Sequence, residues 1–185
     1  MAKVVFNIKN VHYAVLNNGT YGTPVALAGA VSFSADPTGD DNIFYADGVE
    51  YWKDAAGNGY EGELELAMIP DSFRTEILGD VMDTKNVLVE TDNAVTKPFA
   101  LGFQIDGDGG ASYYFWYYNC TASRPSQEAN TNEENKDPDT QTLEWTCAPA
   151  ADGYVRAKTT DTTAAADVSA WFDAVYAPSI SSNNG

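Results

Sequence analysis

Residues 112–121 read SYYFWYYNCT and place six consecutive aromatic side chains in one short stretch. Aromatic residues favour strands, and successive side chains of a strand point to opposite faces. A strand with one face in water needs apolar residues at only every second position. The run therefore predicts a strand that is covered on both faces. One face would carry Tyr113, Phe115 and Tyr117, and the other would carry Tyr114, Trp116 and Tyr118.

Most of the remaining chain repeats a strand pattern in shorter stretches. Turn signals such as NNGT at residues 17–20 and AAGNGY at residues 55–60 separate them. In YEGELELAM, residues 60–68, the alternation predicts one dry and one wet face. We therefore predict a mainly β fold, a β-sandwich or barrel. The dry face would carry Tyr60, Gly62, Leu64, Leu66 and Met68, and the wet face Glu61, Glu63 and Glu65.

Two helices are expected to pack on the sheet. PDSFRTEILG, residues 70–79, has the start and stop signals of a short helix. An amphipathic C-terminal helix would be capped by Thr162 or Thr163 and end at Pro178. We expect Tyr114, Trp116 and Tyr118 to lie against this helix or at a subunit interface. The apolar face of the helix would carry Val168, Trp171, Phe172, Val175 and Tyr176.

Composition limits the partners. The 27 acidic and 10 basic residues give a net charge of −17, which repels a phosphate backbone. No stretch has the length of a membrane-spanning helix or the pattern of an export signal, so we expect a protein made in the cytoplasm that does not enter a membrane. We predict one domain over residues 1–178 and a flexible tail over residues 179–185.

The residue types of catalysis are scarce. His12 is the only histidine and has no nucleophile motif near it, so we interpret it as structural. DGDGG, residues 106–110, lacks the later ligands of a calcium loop and is typical of a hairpin turn. We predict no enzyme, no metal site and no cofactor. Cys120 and Cys147 flank one polar connection; buried free thiols are favoured, and a cross-strand disulfide stays possible under an oxidant.

Two surfaces allow a functional interpretation. The row Glu61, Glu63 and Glu65 is either a solvated strand face or a functional acidic surface. The aromatic residues suggest, as an alternative function, a carbohydrate-binding β-sandwich module. At most three of the six consecutive rings can serve one flat platform, because the others point to the opposite face.

Seven phrases resemble the major tail protein family of phages with long, non-contractile tails. They run in family order from about residue 8 to residue 177, nearly the whole chain. The phrases are IKNVHYAVL, TYGTPVALAGAVSFSADPTG, FYADGVEYW, NGYEGELELAMIPDSFRTEILG, KPFALGFQI, YNCTASRPSQE and DVSAWFDAVY.

The resemblance implies a structural subunit of a virion tail. Such a subunit has a β-sandwich or barrel tail-tube fold with a packed helix, and forms stacked rings, expected to be hexameric. The resulting tube conducts DNA without binding it specifically. The implied partners are further copies of the chain and the tail terminator, tape measure and tail-tip proteins. We expect the glutamate row to line the lumen, and the long loops at residues 36–59 and 124–142 to stack one ring on the next.

Overall fold

The computed structural model describes residues 2–39, 41–55, 58–127 and 138–179, and only the backbone of residues 41–45 and 50–55. The fold is mainly β, as predicted. Two short helices are α1 (Asp71–Phe73), which continues as a wider π-type turn over Arg74–Leu78, and α2 (Ala165–Ser169). The strands are β1 (Val5–Asn17), β2 (Thr20–Tyr21), β3 (Val25–Ala26), β4 (Ala30–Phe33), β5 (Asp36–Thr38), β6 (Asp41–Ala46), β7 (Val49–Ala55), β8 (Gly59–Leu66), β9 (Val81–Met82), β10 (Leu88–Val89), β11 (Phe99–Gly107), β12 (Ser112–Ala122), β13 (Gln141–Cys147) and β14 (Arg156–Lys158).

One antiparallel sheet contains ten of these strands. Its order is β2-β1-β11-β12-β13-β8-β4, with β3 beside β1, β5 beside β8 and β14 beside β12. The sheet does not close into a barrel, so the barrel alternative is wrong. Strands β6 and β7 form a separate hairpin, and β9 and β10 form another. The free edges of the sheet and the two hairpins are therefore the places where further strands or partners can add.

Strand β12 is covered on both faces. On one face Tyr117 joins the main core, which draws residues from β1, β8, β11, β13 and the first helix. On the other face Trp116 and Tyr118 pack with Ala14, Ala100 and Trp171 in a second cluster. The two aromatic sets of the run thus lie in two different apolar environments, each of which gains free energy by removing ring surface from water.

A β-bulge interrupts the alternation within β12. Phe99 pairs with Cys120 and Leu101 pairs with Tyr117, so β12 carries one more residue than β11 over this stretch. Asn119 lies in the left-handed region with φ of 45°, which asparagine tolerates better than most residues. Beyond the bulge the faces are exchanged, and Cys120 joins the same core as Tyr117.

The helix predicted at residues 70–79 is present. It begins after Pro70 and ends at Gly79, whose φ of 81° suits a residue without a side chain. Phe73, Ile77 and Leu78 are buried in the main core. This helix covers one part of the sheet, as the amphipathic pattern indicated.

The C-terminal helix is shorter than predicted. It spans Ala165–Ser169, with Ala164 and neither Thr162 nor Thr163 at its N-cap position. Beyond it, the carbonyls of Trp171 and Tyr176 accept hydrogen bonds from side chains of β12. In an α-helix the backbone carbonyls point along the helix axis. The carbonyls of Trp171 and Tyr176 point towards the sheet instead, so the helix does not continue through these residues. Trp171, Phe172 and Val175 still pack on the sheet, whereas Tyr176 is 39% exposed.

Two further expectations need correction. Residues 36–59 were expected to form a long loop, but they contain β5 and the β6–β7 hairpin. Met68 was expected on the dry face of its strand, but β8 ends at Leu66 and Met68 is 71% exposed. Residues 128–137 of the second expected loop, and residues 180–185 of the expected tail, lie outside the described residues.

Residues 170–179, which follow α2, are called the C-terminal segment. Two buried tryptophans allow a matched test of the hydrogen bond that joins β12 to this segment. The indole N–H of Trp116 donates to the Trp171 carbonyl, whereas the indole N–H of Trp145 has no partner in the described part of the chain. We expect Trp116→Phe to lower the free energy of unfolding by about 1–3 kcal/mol more than Trp145→Phe, because only the first leaves a buried carbonyl without its donor. Urea denaturation of both variants measures the difference, and equal losses would contradict the prediction.

Candidate functional site

The glutamate row lies in the middle of a wider acidic surface. Glu61, Glu63 and Glu65 extend from β8, which is flanked by β13 on one side and by β4 and β5 on the other. Residues directly opposite each other in a ladder present their side chains on the same face. The register therefore brings further polar residues beside the row. They are Thr142, Glu144 and Thr146 from β13, and Ser32 and Asp36 from β4 and β5.

Like charges face each other twice on this surface. Glu63 is paired with Glu144, and Glu61 is paired with Asp36. Directly opposed like charges destabilise a sheet. No side chain among the described residues donates a hydrogen bond to the carboxylates of Glu61, Glu63 or Glu144. Solvent and salt screen the repulsion between these exposed charges. We name the carboxylates of Asp36, Glu61, Glu63, Glu65 and Glu144 the acidic strip.

Glu65 differs from the other members of the strip. Its carboxylate accepts hydrogen bonds from Thr140 at 2.6 Å and from Ser32 at 2.8 Å. These two hydroxyl groups, Thr140 first, lower the pKa of Glu65 below its ordinary value. The charge of Glu65 is thus held in a fixed position, while Glu61 and Glu63 are exposed.

The surface around the strip is a shallow depression of about 680 Å³. Polar residues dominate its lining, and none of the lining residues is a lysine or an arginine. A concave surface of one charge sign concentrates the local field. The arrangement can repel anions and attract counter-ions. The lining includes Ser34, Asp36, Glu61, Glu63, Thr121, Ser123, Glu144 and Thr146.

The five aromatic residues singled out in the sequence lie together on the face of β12 that points away from the main core. The ring centroids of Tyr114 and Trp116 are each 5.9 Å from that of Phe172, and Tyr114 is 6.5 Å from Trp171. Tyr118 is buried and donates its hydroxyl to the Tyr176 carbonyl at 2.7 Å. Burial raises the pKa of Tyr118 above its ordinary value. These rings are engaged with the C-terminal segment rather than arranged as an open platform.

His12 also belongs to this packing. Its ring stacks on Phe172 with centroids 4.3 Å apart, and its Nδ1 lies 2.8 Å from the carbonyl oxygen of Asn10. Both contacts are structural. Within the described ranges no group of three or more histidine, cysteine or acidic side chains could hold a metal ion. No helix in the described part of the chain is long and apolar enough to cross a membrane.

A second polar cluster surrounds Asp106, next to the glycine-rich turn. Its carboxylate forms an ion pair with Lys9 at 2.7 Å and accepts hydrogen bonds from Asn7, Gln104 and Ser112 at 3.0 Å. The Lys9 ammonium group is the main cause that holds the pKa of Asp106 down at about 2. The donors satisfy this carboxylate within the fold, which marks the cluster as a structural one.

From the depressed pKa of Asp106 we predict that the free energy of unfolding decreases at acid pH. Because its folded-state pKa is depressed, its contribution is fully present above pH 4 and is lost as the pH falls towards about 2. Asp106→Asn should therefore be less stable than the wild type at pH 6, and the gap should shrink steadily below pH 4. Asp92→Asn, at an exposed residue, is the control for the removal of one carboxylate. Urea denaturation at several pH values measures both, and a gap that does not change with pH would contradict the prediction.

The sequence pattern identified only the central part of the acidic strip. Asp36 and Glu144 were missed, although Glu144 lies in TLEWTC, where it is the exposed member of an alternating strand. Alternation could have assigned Glu144 to a wet face. It could not have shown that this face is shared with β8, because that depends on pairing between distant segments.

Comparisons with known proteins give little further information. No family model matches the chain, and no curated protein matches it. Among solved structures, it is similar to a chain in the cryo-electron microscopy structure of the anti-feeding prophage baseplate, which was symmetrised six-fold. The two chains are 10% identical over 88% of this chain and 99% of the other, with a TM-score of 0.48. A likeness at this level carries no argument about function.

Proposed function

We propose that the chain is the major subunit of a phage tail tube, in which rings of the protein stack to form a hollow conduit for DNA. The resemblance of seven sequence phrases to that family suggests the class. The observation that carries the proposal is the acidic strip, where like charges are opposed across two ladder pairs. Such an arrangement costs stability, which is understandable if the surface has to repel another polyanion.

The chemistry of the strip suits a lumen. A duplex carries one negative charge about every 1.7 Å along its axis. A wall with lysine or arginine would pair with these phosphates and slow the passage of DNA. A wall of carboxylates and hydroxyl groups has no positively charged side chain that could pair with phosphate, so DNA would slide without being bound. The net charge of −17 is in keeping with this role.

Ring formation would use the free edges of the sheet. The first half of β1 has no strand on its outer side in the described part of the chain, and Val4, Val5 and Phe6 are each more than half exposed. Strand β4 is last in the hydrogen-bonding order of the sheet; it comes close to β1 of the same chain, and its Val31 is 51% exposed. Exposed apolar edge strands are prone to pair with another chain. The exposed apolar residues at the start of β1 and on β4 are therefore the candidates for contact between neighbouring copies in a ring.

Stacking of rings would use the two separate hairpins. An isolated two-stranded hairpin is only marginally stable in water, so the β6–β7 and β9–β10 hairpins gain from contact with a neighbour. On the second hairpin Val81, Met82 and Val89 are more than 40% exposed. Residues 36–59 thus keep their proposed role in stacking, but as a hairpin rather than a loop. The terminator, tape measure and tail-tip proteins would be further partners of the assembled tube.

Self-assembly is the direct test of the proposal. The purified, concentrated protein should form rings or tubes of uniform diameter under negative-stain electron microscopy. Val31→Lys should prevent ring formation, because a charge on an edge strand opposes pairing with another chain. Met68→Lys is the matched control, since Met68 is exposed outside both edge strands. A protein that remains monomeric at all concentrations would contradict the proposal.

Charge reversal tests the lumen assignment separately. The triple variant Glu61→Lys, Glu63→Lys and Glu144→Lys should assemble into tubes but slow the ejection of DNA, because the wall would then attract phosphate. Glu65 is left unchanged because its hydrogen bonds give it a local structural role. Ejection can be followed with a DNA-binding dye, and we expect the delay to diminish as salt is raised.

A control variant separates the local from the global effect of charge. The substitutions Asp92→Lys, Asp167→Lys and Asp173→Lys change the net charge equally at exposed residues outside the strip. Particles with this control should eject DNA at the wild-type rate. Wild-type ejection from the strip variant, or the same delay from both variants, would contradict the lumen assignment.

A carbohydrate-binding module is the alternative function. Its aromatic platform would have to come from Tyr114, Trp116 and Tyr118, but Trp116 and Tyr118 are buried and Tyr114 packs against Phe172. The arrangement therefore argues against this alternative. A module of this kind would stay monomeric and be retarded in polysaccharide gels, which separates it from a tube subunit in one comparison.

A further inference from the structure

The two cysteines of the chain face each other across two strands. Cys120 on β12 is paired with Cys147 on β13, and both side chains are buried. The bulge at Asn119 brings this about, because it moves Cys120 to the core face that Cys147 also occupies. Without the extra residue, Cys120 would lie on the face of Tyr118, and the thiols would be on opposite sides of the sheet.

The backbone hydrogen bonds between β12 and β13 show whether Cys120 and Cys147 form a hydrogen-bonded or a non-hydrogen-bonded pair of the ladder. The Ser123 amide donates to the Glu144 carbonyl, and the Ala148 amide donates to the Asn119 carbonyl. Hydrogen-bonded and non-hydrogen-bonded pairs alternate along an antiparallel ladder. Cys120 and Cys147 therefore form a non-hydrogen-bonded pair, in which Cα atoms are about 4.5 Å apart and side chains are closest.

This separation lies within the range that a disulfide requires, about 4.4–6.8 Å between Cα atoms. The Cys120 thiol donates to the carbonyl oxygen of Tyr118 at 3.7 Å. Cys147 Sγ further donates to the Tyr118 carbonyl at 2.7 Å. A bond between the sulfur atoms thus requires rotation of side chains but no change of register.

We propose that Cys120 and Cys147 are a redox modification site and form an intramolecular disulfide when the folded protein meets a low-molecular-weight disulfide oxidant. The thiolate of one cysteine attacks the oxidant, whose sulfur–sulfur bond breaks to release one small thiol. The second cysteine then attacks the protein sulfur of the mixed disulfide and releases the other small thiol. The two thiol protons of the protein end on the two released molecules, so the step is balanced.

Burial makes the reaction slow. Cys120 is fully buried, and burial raises the pKa of its thiol, so little thiolate is present at neutral pH. The thiols would stay reduced during synthesis in a reducing cytoplasm. On the proposed function, the bond would form only after particles are released into an oxidising medium.

The bond would stabilise a narrow junction of the sheet. Strands β12 and β13 are paired at three positions, with one further backbone hydrogen bond at each end. This contact joins the β1–β11–β12 part of the sheet to the β13–β8–β4 part. A covalent link at one of these positions would oppose separation of the two parts. From the size of the closed loop we expect the melting temperature to rise by roughly 5–10 °C.

The test uses the folded wild-type chain and oxidised glutathione. We expect the mass to fall by about 2 Da, the free thiols measured after denaturation to be lost, and the melting temperature to rise, all reversed by a reductant. The result does not depend on assembly, so it is distinguishable from failure of the proposed function. Persistent free thiols, a stable glutathione adduct, or dimers linked between chains would each overturn the proposal.

Single variants provide the controls. Cys120→Ala and Cys147→Ala each leave one thiol and cannot close the bond, so oxidant should not raise their melting temperature. Should either variant fail to fold, the reversible mass change of the wild type alone still decides the question. A rise in melting temperature in a variant that retains one cysteine would also overturn the proposal.

Discussion

The fold depends on covering β12 on both faces. This strand lies in the interior of the sheet and carries large rings on each side, so neither face can be left in water without a large loss of free energy. The main core covers one face and the C-terminal segment covers the other. The indole N–H of Trp116 and the hydroxyl of Tyr118 bond to carbonyls of that segment. The same strand thus connects the apolar packing with the position of the C-terminal segment.

Local patterns predicted the elements that local forces determine. The two-faced strand at residues 112–122, the wet and dry faces of β8 and the helix before Gly79 all follow from periodicity and from turn or cap residues. The length of the C-terminal helix did not, because tertiary hydrogen bonds from β12 compete with its own backbone bonds. The bulge at Asn119 was also missed, although asparagine is one of the few residues that signals a left-handed position.

The candidate site shows the same limit. Three glutamates in alternation were recognisable in the sequence, whereas their like-charged neighbours Asp36 and Glu144 come from strands far away in the chain. Pairing between distant segments is decided by the whole sheet, and a single sequence gives no register. Residues 36–59 were expected to form a loop, although the strand pattern on either side of Asp47 and Gly48 forms a hairpin.

Gly102 on β11 lies under the ring of Trp116, where an added Cβ would be 2.6 Å from the nearest ring atom. The glycine and the tryptophan therefore form one packing unit, in which a substitution of one residue requires a change of the other. A larger residue at 102 fits only if a smaller ring or an aliphatic side chain stands at 116. In related chains, residues 102 and 116 should accordingly change together. The pair of residues found there would indicate whether a related chain keeps the C-terminal segment on this face of the sheet.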